Sequence, residues 1–276
     1  MILEVEGVSA ASPFEIRNLL PLANYSAEGS EGLAETEPGR ILVARPGRYE
    51  FLPFKPAEYS FSVIGDPREN ITAFAKALET SRHALFAMVL GDLADRGDRD
   101  HLLEVLEIAK KSPIPVYFAV GNHDLQGGGR KHYRELFGDE DYSFRIGRDV
   151  FAVIDNGADY PRLGRNRIAA ADTALSFEDR ENSFLLMHMP PVDPRPGEDH
   201  HMQCVPLKNE LERLVSKRKP TLILAAHIHQ HLCAGFAGSE VVVAGAAGRR
   251  SAEASAPGYV SVSVTGSKVL WEYKGP

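Results

Sequence analysis

Three times along this chain an apolar run of strand length stops at a cluster of Asp, Asn and His. AMVL leads into GDLADRGD at 91–98, VYFAV into GNHD at 121–124, and TLILA into AHIHQ at 226–230. Two further runs behave alike: YSFSVIGD ends in Asp66, and SFLLMH ends in His188. Strand ends in an α/β domain converge on one rim, where such folds place their sites. A chain with this punctuation is therefore expected to gather Asp66, Asp92, Asn122, His188, His227 and His229 in one place. One such residue after a strand is ordinarily a turn, a cap or a hydrogen-bonded structural group. Six at equivalent positions are not explained that way.

The segments between these runs support the same frame. Ile71, Phe74, Ala75 and Leu78 mark one helix face, and Leu102, Leu103, Leu106 and Ala109 a second. Leu207, Leu211, Leu214 and Val215 mark a third, just before TLILA. YSFRIG and VFAVIDNG read as paired strands, and HLCAGF, EVVVAGAA, YVSVSVTG and KVLWEYKG as successive strands. The front half alternates strand and helix and the back half is strand-rich, which two packed sheets flanked by helices would satisfy. Residues 1–57 read differently. SAEGSEGLAETEPG at 26–39 resembles a solvated loop, and ILVA, RPGR and YEFLPF read as a hairpin around Pro46 and Gly47. Residues 1–57 are thus expected to be an accessory segment, with a small separate module as the alternative, and 58–276 the main domain.

Composition narrows the function. A net charge of −7 and an isoelectric point near 5.8 argue against a generic nucleic-acid surface, and no Lys/Arg run stands out. No apolar run is long enough for a membrane span. The opening MILEVEGVSAASPFEIR is acidic where an export leader would be basic, so the expected location is the cytoplasm, with an exported protein whose leader has been removed as the alternative. Cys204 and Cys233 form neither a disulfide framework nor a CxxC site and are expected to be free.

Carboxylate and amide oxygens mixed with imidazoles suit a cluster of divalent transition metals. The ordered set GD, GD, GNHD, H and HxH resembles the calcineurin-like metallophosphoesterases over residues 59–264. That resemblance implies a four-layer α/β/β/α sandwich, two mixed β-sheets flanked by helices, with two divalent or trivalent metal ions at the strand ends. It implies that Asp66, Asp92 and His229 hold the first ion, and that Asp92, Asn122, His188 and His227 hold the second, with Asp92 bridging. Manganese, iron or zinc would suit these donors. His123 would protonate the leaving alkoxide. The implied activity is hydrolysis of a small phosphoester, monoester or diester. A catalytically silent scaffold of the same fold is the alternative.

Two features depart from, or refine, the pattern. Asp-x-His is usual at the first motif, but here GDPR places Arg68 where that His would be. Guanidinium does not ligate metals, so Arg68 either leaves a vacancy or binds substrate phosphate as a fork. The second motif resembles that of protein Ser/Thr phosphatases, which implies that Asp95 orients His123 and Arg96 binds phosphate. The last motif has Ala226 in place of the usual Gly. His200 and His201 lie in a Pro/Gly-rich loop after His188. His231 is expected to face away, and His83, His101 and His132 lie in helix-like segments.

Overall fold

The computed structural model describes residues 2–5, 14–16, 25–28, 33–37, 40–43, 47–53, 56–68, 70–157, 166–245 and 258–275. The N-terminal region holds six strands: β1 (Ile2–Val5), β2 (Phe14–Ile16), β3 (Tyr25–Glu28), β4 (Leu33–Glu37), β5 (Arg40–Val43) and β6 (Gly47–Pro53). They form two three-stranded antiparallel sheets, ordered β1-β6-β3 and β2-β5-β4. This corrects two expectations. The Gly/Ser/Glu-rich stretch 26–39 contributes to strand β3 and holds β4, whose order comes from pairing with β6 and β5 rather than from its own strand propensity. The hairpin around Pro46 and Gly47 does not exist, since β5 and β6 pair in different sheets; β4 and β5 pair instead. Pro46 itself lies outside the described residues.

Two central sheets follow. The first has five strands in the order β17-β16-β7-β8-β9, with β7 at Glu58–Ile64, β8 at Phe86–Leu90, β9 at Val116–Ala119, β16 at Tyr259–Thr265 and β17 at Lys268–Lys274. The second has six, in the order β10-β11-β12-β13-β15-β14. These are β10 (Tyr142–Ile146), β11 (Asp149–Val153), β12 (Ser183–Leu186), β13 (Leu222–Ala225), β14 (His231–Phe236) and β15 (Ser239–Ala244). Strands β7, β8 and β9 are parallel, as are β11, β12, β13 and β15, while β10, β14, β16 and β17 pair antiparallel. Both sheets are therefore mixed. The tail divides, with β14 and β15 completing one sheet and β16 and β17 the other.

Side-chain alternation builds the layers. Phe61, Phe86, Met88 and Leu90 point toward Phe151, Phe184, Leu186 and Leu224 and fill the space between the sheets. Phe61 stacks on Phe86 at 5.2 Å and meets Phe151 and Phe184 edge-on. Ala87 and Val89 face the other way, onto helices α1 (Ile71–Thr80), α2 (Arg99–Ala109) and α3 (Gly129–Phe137). Leu185, Ile223 and Val243 face α4 (Asn166–Ala174) and α5 (Val205–Arg218). The result is helices, sheet, sheet, helices. Central strands covered on both faces read as unbroken apolar runs, which is why they were visible in the sequence.

Helix faces follow the 3.6-residue period with small shifts. In α1 Ala77, not Ala75, is fully buried beside Phe74 and Leu78, and in α2 the buried pair is Leu102 and Val105. All four expected residues of α5 are buried. Asn70 and Asp98 cap α1 and α2 through side-chain acceptors. His83 sits in the turn after α1, not in a helix, whereas His101 and His132 lie in α2 and α3. Among the described residues no helix is long and apolar enough to cross a membrane. Both cysteines are free.

At the end of β11 remote from the strand-end cluster, a polar knot ties the sheets together. The buried Asp149 carboxylate accepts from the Tyr59 hydroxyl at 2.6 Å and from Asn182 Nδ2 at 2.8 Å. Asn182 Nδ2 also reaches the Gly266 carbonyl at 2.8 Å. Burial, then the Asp149 charge, keeps the Tyr59 hydroxyl protonated. Asp149→Ala would strand these donors in the interior and should lower stability by about 3 kcal/mol. Urea unfolding measures this, and a loss below about 1 kcal/mol would show that the knot contributes little.

Candidate metal centre

The six expected residues meet at one rim. Asp66 follows β7, Asp92 follows β8, Asn122 follows β9, His188 follows β12, and His227 and His229 follow β13. Asp66, Asp92 and His188 are fully buried. Six non-glycine residues among those described have positive φ, and four of them are Asp66 (45°), Asp92 (54°), His227 (69°) and His229 (62°). L-residues rarely adopt this conformation, at about 1–3 kcal/mol each, and it concentrates at functional sites. The strain turns each side chain inward at the strand end.

Two donor groups result. One comprises Asp66, Asp92 and His229, the other Asp92, His188 and His227, each with ligand atoms within 4.8 Å of one another. Asp92 belongs to both. Asn122 joins the second group, its Oδ1 lying 2.9 Å from His188 Nε2. His188 Nε2 is 3.2 Å from Asp92 Oδ1 and 3.1 Å from His227 Nδ1. His188 Nδ1 donates to the Leu90 carbonyl at 2.7 Å, which fixes the ring with Nε2 facing the cluster. His229 Nε2 approaches Asp66 Oδ1 at 3.3 Å. Asp66 Oδ1, Asp92 Oδ2 and His229 Nε2 are buried and have no hydrogen-bond partner. Buried polar atoms are ordinarily satisfied, and orphaned oxygen and nitrogen donors converging on one point fit a cation. The donor chemistry therefore fits transition-metal ions.

The sequence profile of the calcineurin-like phosphoesterases matches residues 59–231. The chain belongs to that family. No curated protein matches it. Solved structures resemble it in fold at low identity. A purple acid phosphatase from yellow lupin (Lupinus luteus) aligns over 99% of this chain at 13% identity with a TM-score of 0.59. This chain spans 66% of that protein's length, just under two thirds. A dimetal phosphatase from Danio rerio aligns over 79% of this chain and 96% of its own, at 11% identity and TM-score 0.62. GAP50 of Plasmodium, described as the anchor in the inner membrane complex, covers 79% of this chain and 84% of its own at 11% identity and TM-score 0.58.

Electrostatics treat the imidazoles differently, favouring the neutral form at His227 and the protonated form at His188. Burial, then the charge of His188, lowers the His227 pKa to about 3, so its lone pair is free at neutral pH. Burial pushes Asp66 up, but the His229 contact and the neighbouring His charges reverse the shift, leaving an ionised carboxylate. Burial also opposes protonation of His188, and the Asp92 and Asp66 carboxylates outweigh it.

The family's other positions fall as follows. His123 Nδ1 donates to the Asp95 backbone carbonyl at 2.7 Å, while the Asp95 carboxylate stands 3.7 Å away. Asp95 thus holds His123 through its main chain, a contact its side-chain identity did not disclose. Arg68 is 3% exposed, with Nη1 3.2 Å from Asp92 Oδ2 and 3.5 Å from Asp95 Oδ1. Arg96 is exposed and makes no ion pair among the described residues. Ala226 is not among the residues with positive φ, so it needs no glycine. His231 stacks on Tyr273 at 4.5 Å and faces away from the cluster, as expected. His200 is exposed beside Arg195, near enough for its charge to act on His227.

Some supporting residues escaped the sequence reading. Asp124, fully buried, accepts from Ala94 N at 2.9 Å and Gly121 N at 2.8 Å, tying the second and third motifs together. Burial, then the Asp92 charge, pushes its pKa up to about 7 against those two bonds. Asn156 clamps Met189, donating to its carbonyl at 2.6 Å and accepting from its N–H at 3.0 Å. Asp155 pairs with Arg130 at 3.0 Å and with Arg167. The "HD" of GNHD was the one available signal for Asp124.

Glycines permit the motifs to touch. A Cβ on Gly121 would lie 2.1 Å from Asp92 N. Gly121→Ala must therefore push the two turns apart, and should lower stability by about 3 kcal/mol and weaken Mn²⁺ uptake. Gly235, whose Cβ would meet nothing, is the control. Thermal unfolding and calorimetry report both effects, and a Gly121→Ala protein that behaved like Gly235→Ala would contradict the close-approach reading.

Proposed function

We propose that the chain is a metal-dependent phosphoester hydrolase acting on a small substrate. The observation that carries this reading is the pair of buried donor groups, sharing Asp92, held on strained backbone at the converging strand ends. Family membership supports it. GAP50 of Plasmodium is named as an anchor, so the fold alone does not carry the activity. A silent scaffold would gain nothing from so many donor atoms held on strained backbone at one point. The net charge of −7 favours a small phosphoester over a nucleic acid. Residues 58–276 would be the catalytic unit and 1–57 an accessory segment, in keeping with a family match that begins at residue 59. The two free thiols fit a reducing compartment such as the cytoplasm.

The chemistry that two ions such as manganese, iron or zinc would supply here is a lowered pKa of bound water and positive charge beside the phosphate. Asp66, Asp92 and His229 would hold one, and Asp92, Asn122, His188 and His227 the other. Leu90 orients His188, and Asp124 fixes the spacing of the motifs that carry Asp92 and Asn122. His123 keeps Nδ1 on the Asp95 carbonyl, so Nε2 is the nitrogen able to hand a proton to the leaving oxygen. Arg68 Nη1 faces Asp92 Oδ2 at 3.2 Å, while its buried Nε has no hydrogen-bond partner and is the donor left for a phosphate oxygen. Arg96 would add charge at the rim.

Chelator-treated protein reloaded with each metal should hydrolyse nitrophenyl phosphates. Asp92→Asn and His227→Ala should each retain less than about a tenth of kcat, a barrier increase of roughly 1.4 kcal/mol or more, with unchanged circular dichroism. Folded variants with near-normal kcat would remove these residues from the site.

The role of His123 has its own signature. His123→Asn should lose more activity on alkyl phosphoesters than on nitrophenyl esters, whose leaving group scarcely needs a proton. Equal losses on both would make His123 a positioning residue rather than an acid.

A further inference from the structure

Among the described residues, Arg68 is the cation that contests the donor set. Its side chain is buried, and its backbone N–H donates to the Asp92 carbonyl at 3.2 Å, so the residue is fastened to the Asp92 turn. Its guanidinium sits 3.2 Å from Asp92 Oδ2. The other oxygen, Oδ1, is engaged by His123 N at 3.0 Å and faces His188. Oδ2 is thus the oxygen left for an ion held with Asp66 and His229, and it already has a fixed positive charge beside it. Among the described residues the second donor group meets no such competitor. Asp92 Oδ1, Asn122 Oδ1, His188 Nε2 and His227 Nδ1 cluster with separations of 2.9–3.2 Å about His188 Nε2, and among the described residues no Lys or Arg is paired to that oxygen.

We infer that Arg68 makes the two metal positions unequal. The position bounded by Asp92, Asn122, His188 and His227 fills first. The position bounded by Asp66, Asp92 and His229 has only three protein donors and fills at far higher metal concentration. In the singly loaded protein the Arg68 guanidinium supplies the charge that an ion there would bring. This inference rests on the metal-dependent reading of the same cluster. It adds to that reading an order of filling and the residue that sets it. A like charge a few Å from a dication, at the effective dielectric of a protein interior, weakens binding by on the order of a hundredfold or more.

Calorimetry of chelator-treated protein with MnCl₂, followed at each addition by electron paramagnetic resonance, tests this without reference to turnover. The wild-type chain should take one Mn²⁺ tightly with the spectrum of an isolated ion. A second should bind on the order of a hundredfold more weakly. Asp66→Asn should abolish only the weak equivalent. Arg68→Met, which removes the charge, should strengthen the weak equivalent at least tenfold. Arg68→His should bring the two affinities within about tenfold and yield the multiline spectrum of a spin-coupled pair. Two equivalents of equal affinity in the wild type would overturn the inference, with no variant needed. So would a weak equivalent unmoved in a folded Arg68→Met. Both results leave metal-dependent hydrolysis standing. A protein that binds no Mn²⁺, Fe²⁺ or Zn²⁺ at all would overturn the hydrolase reading as well.

Discussion

Asp92 joins two turns that lie closer together than side chains would allow. Its backbone N–H is 2.1 Å from where a Gly121 Cβ would stand, and its carboxylate accepts from His123 N at 3.0 Å. Asp124 closes the contact from below by accepting from both motifs. The same Asp92 faces His188 on one oxygen and Arg68 on the other. If the two turns separated by even a side chain's width, Asn122 and His123 would leave the cluster while Asp66 and His229 stayed. The geometry of the whole site is therefore set by a backbone approach, and the ligating side chains inherit it.

That approach is unfavourable in isolation. Four of the donors sit at positive φ, and the Asp66, Asp92 and Asp124 carboxylates are all buried. The aromatic layer between the sheets offsets this, because Phe61, Phe86, Phe151 and Phe184 lock the strand directions and hence where their ends emerge. Strain of this kind persists only where surrounding packing over-determines it. Arg68 and the histidine charges supply the remaining compensation around the carboxylates. Cations at the orphaned oxygens would supply more.

Much of this was legible in the residue order. The central strands are covered on both faces, so they appear as unbroken apolar runs, and the site residues stand directly after them. What the sequence did not disclose falls into a physical class. Asp95 acts on His123 through its carbonyl, and Asp124 acts on backbone N–H groups thirty and three residues away. Such contacts depend on main-chain atoms that every residue carries, so side-chain identity says little about them. The pairing of β4 with β5, and of β6 with β1 and β3, was hidden for a related reason. Short strands in a Gly/Ser/Glu-rich stretch carry no long alternation, and β6 pairs with β1 and β3, far back along the chain, rather than with its neighbour.

The measurement that bears most directly on the central claim is anomalous diffraction from crystals of the protein grown with manganese. An anomalous peak should lie within coordination distance of Asp92, Asn122, His188 and His227, stronger than any peak beside Asp66 and His229. Crystals with manganese bound elsewhere, and none among these side chains, would contradict the account.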